Sequence, residues 1–256
     1  MASVFTKHND TEYADALICE EEGLDSLRVA LRDAGVSDVR VPKVYAVSET
    51  ELAITAIDSG AAKEVTLKML GEGLAKMHKA AKPQYGWGRD NYIGLSPQPN
   101  RWSASWGEFY VKDRLAYQVS RIREPSVQAA FDDILSKCGE SLAGWLNEHC
   151  AHPSLLHGDL WSGNVLFDME RPWLIDPAVY CGDREADLAM TEMFGGFGAG
   201  FYSAYDRVYP RSAAYLQKRD VYNLYHYLNH YNLFGSGYLE GCKRGFAMAK
   251  RVAENA

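Results

Sequence analysis

Three side chains have the types and the spacing for phosphoryl transfer to a hydroxyl: Asp159, Asn164 and Asp176. They lie in Ser154-Leu-Leu-His-Gly-Asp-Leu-Trp-Ser-Gly-Asn-Val-Leu-Phe-Asp168 and in Trp173-Leu-Ile-Asp-Pro177. Such a transfer needs a carboxylate to accept the proton of the attacking hydroxyl, and hard oxygen donors to hold Mg²⁺ against phosphates. A carboxylate, an amide five residues on and a second carboxylate at the end of the next strand supply both. Read without chemistry, His157-Gly158-Asp159 is a polar turn with Asp159 as its turn former. Apolar strands on both sides, the second ended by Asp176, favour the chemical reading. His157 is expected to support the loop through hydrogen bonds, with Asp159 the better proton acceptor.

The elements that would position these groups follow from periodicity. Val4 to Lys7 reads as a short strand, and Thr11 to Asp33 as a helix with Leu17, Leu24, Leu27 and Leu31 near helical spacing and Gly35 after its end. Val44 to Val47 and Leu52 to Ile57 read as a hairpin. Ser59 is expected to cap a helix running to His78, with Leu67, Leu70, Leu74 and Met77 on one face. Lys82 to Ser103, rich in Pro, Gly and Asn, reads as a long aromatic loop. Helical patterns return over 106–119 and 125–149, the block Leu155 to Asp187 reads as short strands and tight turns, and the chain from Leu188 is mainly helical. The expected fold class is α+β, with a small strand-containing lobe over 1–58 and a larger, mainly helical lobe over 59–256.

With 256 residues and 47% hydrophobic content the chain can bury a sizeable core. Its net charge of -7 argues against nucleic acid as a partner. The five cysteines, Cys19, Cys138, Cys150, Cys181 and Cys242, show no paired short spacing, so reduced thiols and a cytoplasmic setting are expected. No apolar run approaches a membrane span and the first ten residues do not read as a signal peptide, so no membrane partner is expected.

The blocks HGDLWSGN, DPAVYCGDREADLAM and RDNYIGLSPQPNRW resemble the fructosamine kinase (ketosamine-3-kinase) family, and the resemblance runs from about Val4 to the C-terminal helices. Aminoglycoside and choline phosphotransferases share the His-Gly-Asp, Asn and Asp elements, but Leu-Trp-Ser after Asp159 and Asp-Asn-Tyr-Ile-Gly at 90–94 favour the fructosamine group. The resemblance implies a protein-kinase-like two-lobe fold and phosphorylation of a ketosamine, a sugar adduct of an amine, at its third carbon's hydroxyl, which destabilises the adduct and releases the amine. Asp159 would be the catalytic base, and Asn164 and Asp176 the Mg²⁺ ligands. Lys7 would contact the ATP phosphates with Glu20 as its ion-pair partner, although Glu21 and Glu22 stand beside it. Ala56 and Ile57 would belong to the hinge whose backbone bonds the adenine. Trp161 would stack on the sugar, with Trp102 or Tyr92 closing the pocket. Asp183 would hold the substrate amine, and His157 and Asp187 would be structural support.

The family carries a strand, a glycine-rich loop and another strand before the strand lysine. These need roughly 15 to 20 residues, which Met1 to Thr6 do not supply. The expectation is a truncated sheet of about three strands, weak ATP binding, and an open edge through which a homo-oligomer could form. Two other readings use the same residues: an aminoglycoside or amino-sugar phosphotransferase, and a catalytically silent, pseudokinase-like binding protein.

Overall fold

The computed structural model describes residues 3–255. Strand β1 (Val4–His8) leads to helix α1 (Ala16–Asp33), which opens at Ala16 rather than at Thr11. The Asn9 side chain accepts from the backbone N–H and hydroxyl of Thr11 and donates to the carbonyls of Tyr13 and Glu49. Such local bonds hold the backbone out of a helix. Past Ala16 the apolar spacing takes over, and Leu17, Leu24, Leu27 and Leu31 are all buried. β2 (Val44–Val47) and β3 (Glu51–Thr55) complete an antiparallel sheet ordered β1-β3-β2, with Lys7 opposite Leu52 and α1 packed on β2 and β3.

Helix α2 spans Glu64–His78. Ser59 does not cap it: Gly60 donates to the Phe167 carbonyl at 2.7 Å, which holds the chain extended, and the helix starts where the Lys63 N–H meets Thr66 Oγ1 at 3.1 Å. The stretch 82–103 is less irregular than its composition predicts, because β4 (Asn91–Ile93) and β5 (Ser96–Gln98) pair as a hairpin. The helix that follows is interrupted: α3 (Trp106–Phe109), a π-helical segment Tyr110–Ala116 and α4 (Tyr117–Ser120) run end to end before α5 (Pro125–Glu148). β6 (Ser154–Leu156), β7 (Val165–Phe167), β8 (Pro172–Leu174) and β9 (Tyr180–Gly182) form two antiparallel pairs, β6 with β9 and, between them in the chain, β7 with β8. Glu185 and Asp187 belong to helix α6 (Glu185–Met193) rather than to the strand-and-turn block. α7 (Ala199–Val208), α8 (Tyr215–Phe234) and α9 (Leu239–Ala253) complete the chain.

Two apolar clusters hold these elements. One joins Leu24 and Leu27 of α1, Leu52 of β3 and Leu70 and Leu74 of α2 to Leu160 and Leu174, so a single core runs across the junction between residues 58 and 59. The other gathers Trp106, Tyr110, Leu142, Tyr222, Leu228 and Phe246 among the helices. Each fully buried Leu or Phe contributes about 1.5–3 kcal/mol, so the first cluster fixes the sheet rigidly over the strand-and-loop block. All five cysteines are free, and no described helix is long and apolar enough to cross a membrane.

His226, buried on α8 with its Nδ1 unpartnered, sets an acid limit on this fold. Burial, helped by His230 and Arg114 and opposed by Asp187, pulls its imidazole down to about 3, against about 6.5 in an unfolded chain. Below about pH 6.5 the unfolded chain takes up a proton that the native state refuses. Stability present above that pH therefore falls, by up to about 1.4 kcal/mol per pH unit, as the pH drops towards 3. In urea unfolding between pH 6.5 and 4.5, His226→Asn should show a flatter loss than the wild type. Identical slopes would remove His226 from this role.

Candidate active site

The loop after β6 is tied down from behind before any chemistry is considered. Gly158 has φ +83°, a left-handed conformation suited to glycine, and a Cβ there would lie 1.9 Å from the Ala178 carbonyl oxygen. Asp187, buried in the first turn of α6, accepts the N–H of His157 at 2.7 Å and of Gly158 at 2.9 Å. His78 Nε2 lies 3.3 Å from the same carboxylate. Burial works to raise the Asp187 carboxyl, but His78, His157 and the backbone N–H groups outweigh it and hold it below the usual carboxylate range. His157 Nε2 donates to the Ile175 carbonyl at 2.9 Å, which leaves Nδ1 to accept the Asp159 N–H at 3.3 Å. Burial lowers its pKa, so the ring stays neutral in that tautomer and braces the loop.

Asp159 itself faces a cavity of about 270 Å³. Asn164, at the end of a single 3₁₀ turn (Ser162–Asn164), turns its amide back to donate to the Asp159 carbonyl and to Asp159 Oδ2, both at 2.8 Å. Burial, with Asp176 and Asp187 nearby, pushes the Asp159 carboxyl up to about 7 against the pull of that amide bond. Asp176 follows β8 with φ 49°, the one non-glycine residue with positive φ among the described residues. Strain of this kind is stored where the surroundings over-determine a side chain's direction. Here α1 presses in, since a Cβ on its Gly23 would lie 3.0 Å from Pro177.

Opposite the loop, Lys7 on β1 bridges Glu20 at 2.7 Å and Asp176 at 2.9 Å. Glu20 is thus the partner that this geometry selects; Glu22, on a different face of α1, pairs with Arg89. Burial works to lower the Lys7 pKa, but Glu20 and Asp176 outweigh it and raise it. Partial burial, with Asp176 nearby, pushes the Glu20 carboxyl up to about 7 despite Lys7. Lys7, Glu20, Asp159, Asn164 and Asp176 all line the one cavity.

A magnesium ion fits this donor set. Both Asn164 amide hydrogen bonds go to Asp159, which leaves its Oδ1 without a hydrogen bond among the described residues, as is Asp176 Oδ2. A carboxylate and an amide oxygen are hard donors of the kind Mg²⁺ accepts when phosphates and water complete its shell. No group of three or more His, Cys, Asp or Glu that could hold a metal occurs among the described residues, so a site built only from such side chains is not in competition.

The remaining expected residues divide. Tyr92 lines the cavity from β4, its ring stacked on Tyr13 at 4.6 Å and its hydroxyl donating to Asp15 at 2.6 Å. Trp161 does not line it; its ring covers Gly163, where a Cβ would be 2.3 Å away, and meets Phe194 edge-on at 5.7 Å. Trp102 is half exposed and off the cavity, and Ala56 and Ile57 also lie off it; the Ala56 N–H donates to the Ser3 carbonyl at 2.9 Å. Asp183 is a correction. It is buried and bonded to Lys218 Nζ and the Tyr222 hydroxyl, both at 2.7 Å, and to the Glu185 N–H at 3.0 Å, so it holds the helical lobe together and has no oxygen facing a substrate. Asn9, Asp10, Thr11, Gly94 and Leu95 line the cavity without having been expected there. Thr11 reads locally as the start of a helix, with Asn9 and Asp10 between it and the strand; Gly94 and Leu95 lie in the 89–102 block, whose three-residue strands carry no strand pattern of their own.

Comparison with known proteins points to one family. The sequence model described as "Fructosamine kinase" matches residues 1–251. A "Probable ketoamine kinase" of Vibrio parahaemolyticus is 39% identical over 247 residues, covering 92% of this chain and 81% of that protein. A "Protein-ribulosamine 3-kinase, chloroplastic" of Arabidopsis thaliana is 48% identical over 172 residues, covering 66% of this chain and 52% of that protein. Among solved structures, a putative fructosamine-3-kinase from Thermobifida fusca superimposes with a TM-score of 0.83 at 28% identity, covering 100% of this chain and 86% of that one.

Proposed function

The chain belongs to the fructosamine kinase family, and on that premise we propose that it transfers the γ-phosphoryl group of ATP to a sugar hydroxyl of a ketosamine. The observation that carries this reading is the Lys7 bridge: one ammonium joins Glu20 to Asp176 across the cavity from the Asp159–Asn164 pair. Residues 1–58 then contribute the phosphate contact and residues 59–256 the catalytic loop and the acceptor site. Asp159 orients the attacking hydroxyl and accepts its proton, and a carboxyl poised near neutrality suits that task. Asn164 fixes the direction of Asp159, while Lys7, held by Glu20, neutralises charge on the transferred phosphoryl group. Asn164 and Asp176 would hold Mg²⁺, which supplies charge neutralisation between the phosphates. Tyr92 forms a wall of the acceptor site. At about 270 Å³ the cavity is smaller than the roughly 300–1,000 Å³ of drug-sized sites, which suits a phosphoryl group and a sugar rather than a whole nucleotide. The adenine role of Ala56 and Ile57 rests on the resemblance alone.

The biological sense of this chemistry is repair, since a phosphorylated ketosamine sheds its amine. A cytoplasmic setting and reduced thiols complete the reading; a homo-oligomer through the β1 edge has no observation behind it. The test is a panel offered with magnesium and ATP: fructosyl- and ribulosyl-lysine beside aminoglycosides. The expected result is a phosphorylated ketosamine by mass spectrometry, followed by release of free lysine, with the aminoglycosides unchanged. Phosphorylation of an aminoglycoside alone would move the protein to the amino-sugar reading.

A further inference from the structure

The first turns of helix α1 are gripped by an arginine from another part of the chain. Arg89, in the loop before β4, pairs with Asp15 and, at 3.1 Å, with Glu22, and the Tyr92 hydroxyl donates to the same Asp15 at 2.6 Å. Asp15 stands at the N-cap of α1, where a carboxylate ordinarily accepts a backbone N–H of the first turn. Its side chain makes no such bond here. The helix forgoes its own cap, and the carboxylate goes to the loop instead.

We propose that Arg89 is a positioning residue: with Asp15 and Glu22 it forms a clasp that aims the first turns of α1, so that Glu20 meets Lys7 and the cavity is ready for magnesium-bound ATP. The inference rests on the kinase reading above. Asp15 and Glu22, seven residues apart, stand on one side of the helix start, while Glu20, two residues before Glu22, points to the nearly opposite side. The turn between them is held from two directions, by Arg89 and by Lys7. The apolar core grips α1 mainly from Leu24 onward; ahead of it, Leu17 is the one α1 member of that cluster among the described residues. The direction of the second turn is therefore left to polar contacts.

The clasp has a firm base. Asn91, buried on β4 between Arg89 and Tyr92, donates to the Val179 carbonyl at 2.8 Å and accepts from Gln98 at 2.8 Å and from Asn100 at 2.7 Å. Val179 follows Asp176 by three residues, so Arg89 is braced on the same stretch of chain that carries Asp176. The Tyr92 hydrogen bond and the Arg89 charge outweigh burial and hold the Asp15 carboxyl below its usual range, which keeps it an anion for Arg89. Both ion pairs are partly exposed, so each contributes modestly. A clasp of that strength shifts a population: without it fewer molecules hold α1 aimed, and the apparent affinity for a ligand of the aimed state falls by that fraction. Bound ligand restores the conformation, so turnover of the complex is spared.

Calorimetric titration with magnesium and ATP, without any acceptor, reads the clasp directly. Arg89→Gln should raise Kd about three- to tenfold, as expected for loss of two modest ion pairs. Arg89→Lys, which keeps the charge but not the two-pronged guanidinium, should fall between Arg89→Gln and the wild type. With a ketosamine present, KM for ATP should rise in step while kcat at saturating ATP stays within about twofold. In a Glu20→Gln background, Arg89→Gln should add less than about twofold, because the clasp acts through Glu20. Glu22→Gln, a change of charge at nearly constant shape, should raise Kd about twofold and carries the test if Arg89→Gln does not fold. An unchanged Kd in both Arg89→Gln and Glu22→Gln, a loss confined to kcat, or the full loss repeated in the Glu20→Gln background would overturn the clasp alone. A wild type that takes up no ATP would overturn the kinase reading and the clasp with it.

Discussion

Asp159→Asn should lower kcat for ketosamine phosphorylation by about 10²- to 10⁴-fold, the usual scale for removing a positioned general base. The substitution keeps the side chain's volume and an oxygen that can still accept from the Asn164 amide, so the loop that Asp187 anchors from behind should remain in place. What disappears is the capacity to accept a proton. KM for ATP should move little, because Asp159 does not touch Lys7 and is not one of the two residues that would hold Mg²⁺. The residual rate should stay well above the uncatalysed one, since positioning and electrostatic stabilisation carry much of phosphoryl transfer. Steady-state kinetics beside a thermal melt decide the matter. A kcat within about threefold of wild type at an unchanged melting temperature would mean that the proton leaves by another route, and Asp159 would become an orienting group only.

The legibility of the site in the sequence followed the physics of each residue. Asp159, Asn164 and Asp176 could be read because their spacing is imposed by a short loop and one strand pair, so local pattern and tertiary geometry coincide. Glu20 could not be separated from Glu21 and Glu22 by type. The structure separates Glu20 from Glu22 because successive helical residues point about 100° apart, which sends Glu20 to Lys7 and Glu22 to Arg89. Asp183 was misread for a related reason. Its partners, Lys218 and Tyr222, come from α8, and no local pattern announces a bond across 35 or 39 residues. The β4–β5 hairpin hid because each strand has three residues and Pro97 sits in the middle of one; proline normally argues against a strand unless it lies at an edge. The start of α1 failed where Asn9 and Thr11 compete for the backbone, while its later turns were visible in the leucine spacing.

Asp187 should prove more costly to remove than any residue that lines the cavity. Its carboxylate is the acceptor for two buried backbone N–H groups, those of His157 and Gly158, and lies 3.3 Å from His78 Nε2. Asp187→Ala leaves both buried N–H groups without a partner. Removing one member of a buried charged cluster costs about 3–5 kcal/mol, which for a chain of this size lowers the melting temperature by roughly 6–20 °C. Asp187→Asn should fall between, because it keeps one acceptor oxygen but sets an amide N–H₂ donor against the second backbone N–H. In whatever protein stays folded, kcat should also fall about 10²-fold, since Gly158 precedes Asp159 and a shift of about an ångström in a reacting group has that effect. The loss should appear in kcat rather than in KM for ATP, because Lys7 and Glu20 belong to the other wall of the cavity. A melting temperature within about 2 °C of wild type for Asp187→Ala would show that the loop holds its left-handed Gly158 turn without this anchor.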